Sequence, residues 1–255
     1  MILDSIILGI VEGITEFLPI SSTGHLILIS RLLGLDQTDF LKSFEIAIQL
    51  GAIFSIVFLY WKTFFKDFEA LKRIFVAFMP TAVIGLALYK LFKEYFFSDS
   101  IVVYSLFIGG VFLIIFELLY KEKEGAENEI REISYKKSFF IGVFQSIAII
   151  PGISRSAATI IGGLSMGIKR KTIVEFSFLL AVPTMFCATA YDLVKSAPHF
   201  APGDISSLLV GFIVSFVVAF FSVKWLLKYI QKNNFIAFGV YRIAIALLFF
   251  FIILK

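Results

Sequence analysis

Glu12 and Glu16 lie four residues apart in an apolar segment, and Leu-Pro-Ile-Ser-Ser-Thr-Gly-His follows directly. That spacing puts both carboxylates on one helical face. In hydrocarbon a carboxylate costs at least about 2.5 kcal/mol, so such groups face a cavity or a partner. Two converging carboxylates suit a divalent cation, or one could act as general base. The plainer alternative is a structural hydrogen bond to a neighbouring helix. Beyond the break come three hydroxyls (Ser21, Ser22, Thr23), a glycine and the imidazole of His25. A hydroxyl nucleophile needs an adjacent base, and His25 stands three residues after Ser22. A lone histidine is more often structural, but this one follows two carboxylates and a hydroxyl cluster.

The second chemistry-bearing stretch is Pro151-Gly-Ile-Ser154-Arg155-Ser156-Ala-Ala-Thr159. Pro-Gly stops one half-helix and Ser-Arg-Ser opens the next. Free backbone N–H groups, hydroxyl donors and a guanidinium would converge there, an anion trap suited to phosphate. Arg155 cannot easily snorkel to water and needs a partner: Glu12, Glu16 or a bound phosphate. Arg242, in the last apolar run, poses the same choice with Glu117, Glu45 or Glu175, and a structural role is expected for it. Carboxylates with or without a metal, a hydroxyl or imidazole nucleophile and an anion cradle together describe phosphoryl transfer or phosphate-ester hydrolysis.

The elements that position these groups follow from composition. Of 255 residues, 59% are hydrophobic and 16% charged, with 32 Phe and a mean hydropathy of +0.95. Soluble domains run near 45–50% apolar and about 25% charged, so an ordinary soluble enzyme, a nucleic-acid binder and a disordered chain are excluded. An all-α polytopic membrane protein is expected. The net charge of +4 then reflects loop Lys/Arg rather than a nucleic-acid surface. One cysteine, Cys187, leaves no internal disulfide, and His25 and His199 are too few for a His-rich metal site. No basic n-region or cleavage site opens the chain, so the first apolar segment is expected to remain in place.

Six runs are long enough to cross a bilayer: 44–60, 74–92, 101–119, 173–193, 205–227 and 235–254. Segments 3–33 and 138–168 are apolar but broken in the middle by Pro and Gly, as kinked spans or re-entrant hairpins. If both crossed, Lys/Arg would divide almost evenly between the two sides. If both are re-entrant, one side collects about fifteen and the other about six, the asymmetry of the positive-inside rule. Re-entrant hairpins are therefore expected, with both termini outside the cytoplasm.

The halves also resemble each other. Leu-Gly-Ile-Val-Glu-Gly (8–13) aligns with Ile-Gly-Val-Phe-Gln-Ser (141–146), pairing Glu12 with Gln145. After a slip of one residue, Pro19 meets Pro151 and Ser22 meets Ser154, and further on Glu45 meets Glu175. With one hairpin and three spans in each half, an inverted-topology internal repeat is expected, its site near the midplane. The units are 1–119, a charged cytoplasmic loop at 120–137, and 138–255.

The stretches Glu12-Gly-Ile-Thr-Glu16-Phe-Leu-Pro-Ile-Ser-Ser-Thr-Gly-His25 and Pro151-Gly-Ile-Ser-Arg-Ser-Ala-Ala-Thr159 resemble the two signature motifs of the bacterial undecaprenyl-diphosphate phosphatases, the membrane phosphatases of bacitracin resistance. The resemblance extends through Phe44–Gly51 and Glu175–Pro183. It implies hydrolysis of undecaprenyl diphosphate to the monophosphate carrier reused in cell-wall synthesis, at a site opening to the periplasmic face of the inner membrane. It also implies a divalent cation, Mg²⁺ or Ca²⁺. Carried over, Glu12 and Glu16 would be the metal-binding or acid/base carboxylates, and Ser22 or His25 the nucleophile or its activator. Ser154, Arg155 and Thr159, with the neighbouring hydroxyls of Ser21, Thr23 and Ser156, would hold the diphosphate. The expected partners are the polyprenyl diphosphate and membrane lipid. The expected mechanism is attack by Ser22 assisted by His25, its rival direct attack by water. A lipid-phosphate flippase or anion transporter would want the same buried charges. A structural subunit would leave them unexplained.

Overall fold

The computed structural model describes residues 2–36, 38–95, 99–122, 126–196 and 204–253. His199, Lys123 and Lys255, and the side chains of Lys90, Lys93 and Lys195, lie outside them. Among the described residues the chain is helical, with no strand beyond a single bridge between Glu127 and Ile168.

The eleven α-helices described are α1 (Ile2–Thr15), α2 (Ser22–Leu32), α3 (Asp39–Leu59), α4 (Trp61–Lys66), α5 (Phe68–Tyr95), α6 (Asp99–Leu119), α7 (Tyr135–Ser146), α8 (Arg155–Ser165), α9 (Arg170–Ser196), α10 (Asp204–Tyr229) and α11 (Ile236–Ile253). Side-chain caps start several of them: Thr38 accepts from the Leu41 amide before α3, and Ser134 from the Lys137 amide before α7. Five helices (α3, α5, α6, α9, α10) are long and apolar enough to cross a membrane, and α11 is a shorter apolar helix. Apolar side chains on them stay uncovered, Ile108 at 65% and Phe221 at 64% exposure, a surface that lipid solvates and water does not. The chain is a multi-pass membrane protein.

The two broken segments behave differently. They form four short helices of 14, 11, 12 and 11 residues. At 1.5 Å per residue none reaches the roughly 30 Å of a hydrocarbon core. α1 stops at Thr15 as the chain approaches Leu18-Pro19, since a residue before proline is steered out of the helical region. α7 tightens into a 3₁₀ turn, Ile147–Ile149, before Pro151 and Gly152 (φ +92°). The breaks are packed in protein: Phe17 and Ile20 share one apolar cluster with Ile160, Leu164, Phe176 and Phe178. Phe17 meets the Phe178 ring edge-on at 5.3 Å.

Packing between the halves is reciprocal. α1 lies along α10, and α7 along α5; α3 packs on both α10 and α9, α9 also on α5, and α6 pairs with α11. Glycines permit the closest of these approaches. A Cβ on Gly9 would stand 2.8 Å from the Gly211 carbonyl oxygen, and one on Gly142 2.0 Å from that of Ala77.

Candidate active site

Two serines set the geometry of the breaks. Ser21 (φ 71°) and Ser154 (φ 77°) are the positive-φ non-glycine residues among the described residues. Such backbone costs on the order of 1–3 kcal/mol and persists only where its surroundings hold it. Each serine is the N-cap of the following short helix. Ser21 Oγ accepts from the Gly24 amide at 3.4 Å, and Ser154 Oγ from the Ala157 amide at 3.2 Å. The shared geometry relates Ser21 to Ser154 by the same spacing that relates Glu12 to Gln145. The pairing of Ser22 with Ser154 suggested by the prolines is one residue off this register.

The two helix N-termini meet at a cavity of about 180 Å³. From the first break it is lined by Glu16, Ser21, Ser22 and Thr23, and from the second by Ile150, Pro151, Gly152, Ser154 and Arg155. Glu16 lies just past the end of α1, its amide still bonded to the Glu12 carbonyl at 2.9 Å. Its carboxylate joins both breaks. Oε2 accepts from Ser22 Oγ at 2.5 Å, and Oε1 from Arg155 Nη2 at 3.1 Å. The other arm of the guanidinium, Nη1, donates to the Ser177 carbonyl at 2.8 Å and to Ser177 Oγ at 3.3 Å. Hydroxyl, carboxylate and guanidinium thus form one chain, in which Arg155 orients the base and Glu16 can take the serine proton. Arg155 Nε is buried without a hydrogen-bond partner.

Glu12 is placed differently. It is 0% exposed, both carboxylate oxygens lack a hydrogen-bond partner, and it does not line the cavity. The charged groups around it are Glu16, Glu45 and Arg155. An unpaired buried carboxylate is tenable only with a proton or a cation. Among the described residues no cluster of three or more His, Cys, Asp or Glu could hold a metal ion. The orphaned oxygens of Glu12, with the Glu16 carboxylate beside them, fit the oxygen chemistry of a hard cation held behind the cavity wall.

His25 is not at the Ser22 hydroxyl. Its Nδ1 lies 2.8 Å from the Ser21 carbonyl oxygen and its Nε2 3.0 Å from the Tyr241 phenol oxygen. A carbonyl only accepts, so the network assigns the proton to Nδ1, and Nε2 accepts from Tyr241. The two rings stack at 5.5 Å, and the imidazole braces the first break rather than facing the cavity. Ser156 and Thr159 are likewise turned away. Ser156 Oγ donates to the Phe17 carbonyl at 2.9 Å, tying the two breaks together. Thr159 Oγ1 lies 2.6 Å from Ser177 Oγ, behind Arg155.

Arg242 has none of the carboxylate partners its sequence context suggested. Glu117 is taken by Arg170, and Glu45 accepts from Ser30 Oγ at 2.6 Å. Among the described residues the five hydrogen bonds of Arg242 all go to backbone carbonyls. They are Pro19 at 3.2 Å, Gly152 at 2.9 Å, Ile153 at 2.9 Å, Ser105 at 3.1 Å and Leu106 at 3.4 Å. Three of these carbonyls belong to the two breaks, so one fully buried guanidinium clamps both loops onto α6.

The remaining wall comprises residues that motif reading did not assign to the site: Gln49, Thr81, Gln145 and Thr184. Gln145 was visible only as the counterpart of Glu12. Ser177, inside the stretch after Glu175, carried no signal of its contact with Arg155.

Comparison with known proteins places the chain in a family. The model of the bacitracin resistance protein BacA family matches residues 5–248. A protein of Sulfurihydrogenibium sp. called undecaprenyl-diphosphatase is 55% identical over 97% of this chain and 98% of its own length. Proteins of the same name from Persephonella marina and Aquifex aeolicus are each 53% identical, the first over 99% of both chains and the second over 96% of both. Matched over nearly its full length by both comparisons, the chain belongs to the bacitracin resistance protein BacA family.

Proposed function

We propose that this chain is a membrane phosphatase that hydrolyses undecaprenyl diphosphate to undecaprenyl phosphate and phosphate, recycling the lipid carrier for cell-wall synthesis. The observation that carries the reading is the Ser22–Glu16–Arg155 chain at the wall of a cavity between two broken helices. It stands in a chain about half identical to proteins named for that activity.

Arg155, with the N-termini of α2 and α8, neutralises the diphosphate. Ser22 Oγ attacks the terminal phosphorus while Glu16 takes its proton. The bond to the bridging oxygen breaks, and that oxygen's electron pair leaves with the lipid monophosphate. In this reading Glu16 fills the role that spacing suggested for His25, and His25, bonded to Ser21 and Tyr241, holds the break. Glu12 and Glu16 would hold a divalent cation, Mg²⁺ or Ca²⁺. Such an ion supplies charge neutralisation at the phosphoryl oxygens. Ser21, Thr23 and Ser154 flank the diphosphate; Ser156 and Thr159 support the cradle from behind.

Six spans with two re-entrant hairpins in an inverted repeat remain the architecture we favour. The sub-bilayer lengths of α1, α2, α7 and α8, the reciprocal packing of α1 on α10 and α7 on α5, and the matched serine caps support it. The Lys/Arg asymmetry supports a cytoplasmic-membrane orientation with the site open to the outer face. The deciding experiment is phosphate release from undecaprenyl diphosphate by the purified chain in detergent, with and without a chelator. Release that the chelator abolishes is expected. No release would return the chain to anion or lipid-phosphate transport.

A further inference from the structure

Two buried polar atoms on residues that line the cavity lack partners, and they are of opposite kinds. Arg155 Nε is a donor and Gln145 Oε1 an acceptor. The orientation of the Gln145 amide follows from counting hydrogens. Thr81 Oγ1 spends its one hydrogen on the Gly142 carbonyl at 3.0 Å, and Thr184 Oγ1 spends its own on the Leu180 carbonyl at 2.8 Å. Both threonines can therefore only accept, and Gln145 Nε2 donates to them at 2.7 and 3.2 Å. Both amide hydrogens are used and the flip is fixed. Oε1 is left facing no donor of the protein in a residue 1% exposed.

A phosphate oxygen accepts hydrogen bonds, so it suits Arg155 Nε and not an amide oxygen. Gln145 Oε1 calls for an O–H donor, and a hydrolase must bring one such molecule to the same cavity. We propose that Gln145 positions the hydrolytic water through its Oε1. The inference rests on the phosphatase reading above. In the second half of that reaction the water oxygen bonds to the phosphorus carried on Ser22, and the bond from phosphorus to Ser22 Oγ breaks. Glu16, protonated in the first half, returns its proton to Ser22 Oγ. Both water hydrogens leave with the phosphate as H₂PO₄⁻. Gln145 takes no proton; it fixes the line of attack.

The test compares Gln145→Met with the wild-type full chain in detergent, using undecaprenyl diphosphate labelled in its terminal phosphate. Misplaced attack costs up to about 100-fold, so kcat should fall about 10- to 100-fold. Affinity for an unreactive methylene-diphosphonate analogue should stay within about twofold, because the phosphate side is untouched, while label held on Ser22 should rise and KM should fall alongside kcat as hydrolysis of that label becomes limiting. Unchanged kcat overturns the proposal. A parallel loss of kcat and analogue affinity also overturns it, since Gln145 would then only shape the wall. If kcat falls alone but Ser22 never carries label in either protein, water positioning stands and serine attack falls. Should Gln145→Met not fold, Thr184→Ala frees one amide hydrogen and lets the side chain turn. The same pattern at about three- to tenfold is expected there, and an unchanged kcat overturns the proposal.

Discussion

Removing the Arg242 guanidinium tests whether the two breaks are held from below or hold themselves. Arg242→Met keeps bulk in α11 but takes the donor from five carbonyls. Those of Ser105 and Leu106 lie inside α6 and keep helical partners, so their loss is small. Those of Pro19, Gly152 and Ile153 lie in the breaks, where a buried polar group left unsatisfied costs about 1–3 kcal/mol. Three such groups put the destabilisation at about 3 kcal/mol at the low end, less whatever cavity water recovers. The loops then shift, and a displacement near 1 Å at a reacting group costs about 100-fold in rate. Gly109→Ala reaches the same end with the charge intact, because its Cβ would lie 2.0 Å from Arg242 Nη2 and must push the guanidinium aside. Thermal unfolding in detergent and phosphate release are the assays. Both variants should melt earlier and lose kcat. Activity within about twofold of wild type in both would refute the clamp, because neither the hydrogen bonds nor their geometry would then matter to the site.

Two other perturbations probe packing away from the chemistry. Gly142→Ala should separate α7 from α5 and disturb the Gln145–Thr81 bond, with a loss of about 1–3 kcal/mol seen as a lower melting temperature. Gly85→Ala, whose Cβ would meet only Ile149 Cδ1 at 3.9 Å, is the matched control and should melt like wild type. Arg170 forks onto Glu117, Nη2 reaching Oε2 at 3.0 Å, and lies 4.9 Å over the Phe235 ring. Arg170→Met strands a buried carboxylate and should cost about 3–5 kcal/mol in stability, while kcat/KM of the folded fraction stays at the wild-type value.

Much of the helical architecture was legible because hydrocarbon imposes a length rule. The six long helices at 39–59, 68–95, 99–119, 170–196, 204–229 and 236–253 overlap the six apolar runs read from composition. Pro19 and Pro151 likewise announced the breaks. The site's inner wiring was legible only where it is local. Spacing put Ser22 within reach of His25, but the imidazole answers to Tyr241, 216 residues on, and no local rule sees that contact. Arg242 was given carboxylate partners because a buried charge is expected to seek its opposite. The loops instead offered carbonyls that nothing else satisfies. Glu12 and Glu16 share a spacing, but α1 ends between them, so one joins the cavity wall and the other stays behind it. Thr81 and Thr184 were silent in sequence because a threonine in an apolar helix ordinarily bonds its own backbone, as Thr184 does; Thr81 instead reaches across to the Gly142 carbonyl of α7.

Ser22 and Arg155 occupy the same place in their segments, each the residue directly after a left-handed serine cap. Two copies of one sequence facing each other across this cavity would bring either a pair of hydroxyls or a pair of guanidiniums to that place. The first arrangement attacks without a clamp; the second clamps without attacking. On the phosphatase reading, setting a nucleophile against an anion holder there requires two segments that differ in sequence, as these do. The chemistry proposed for the cavity then depends on the difference at that single position.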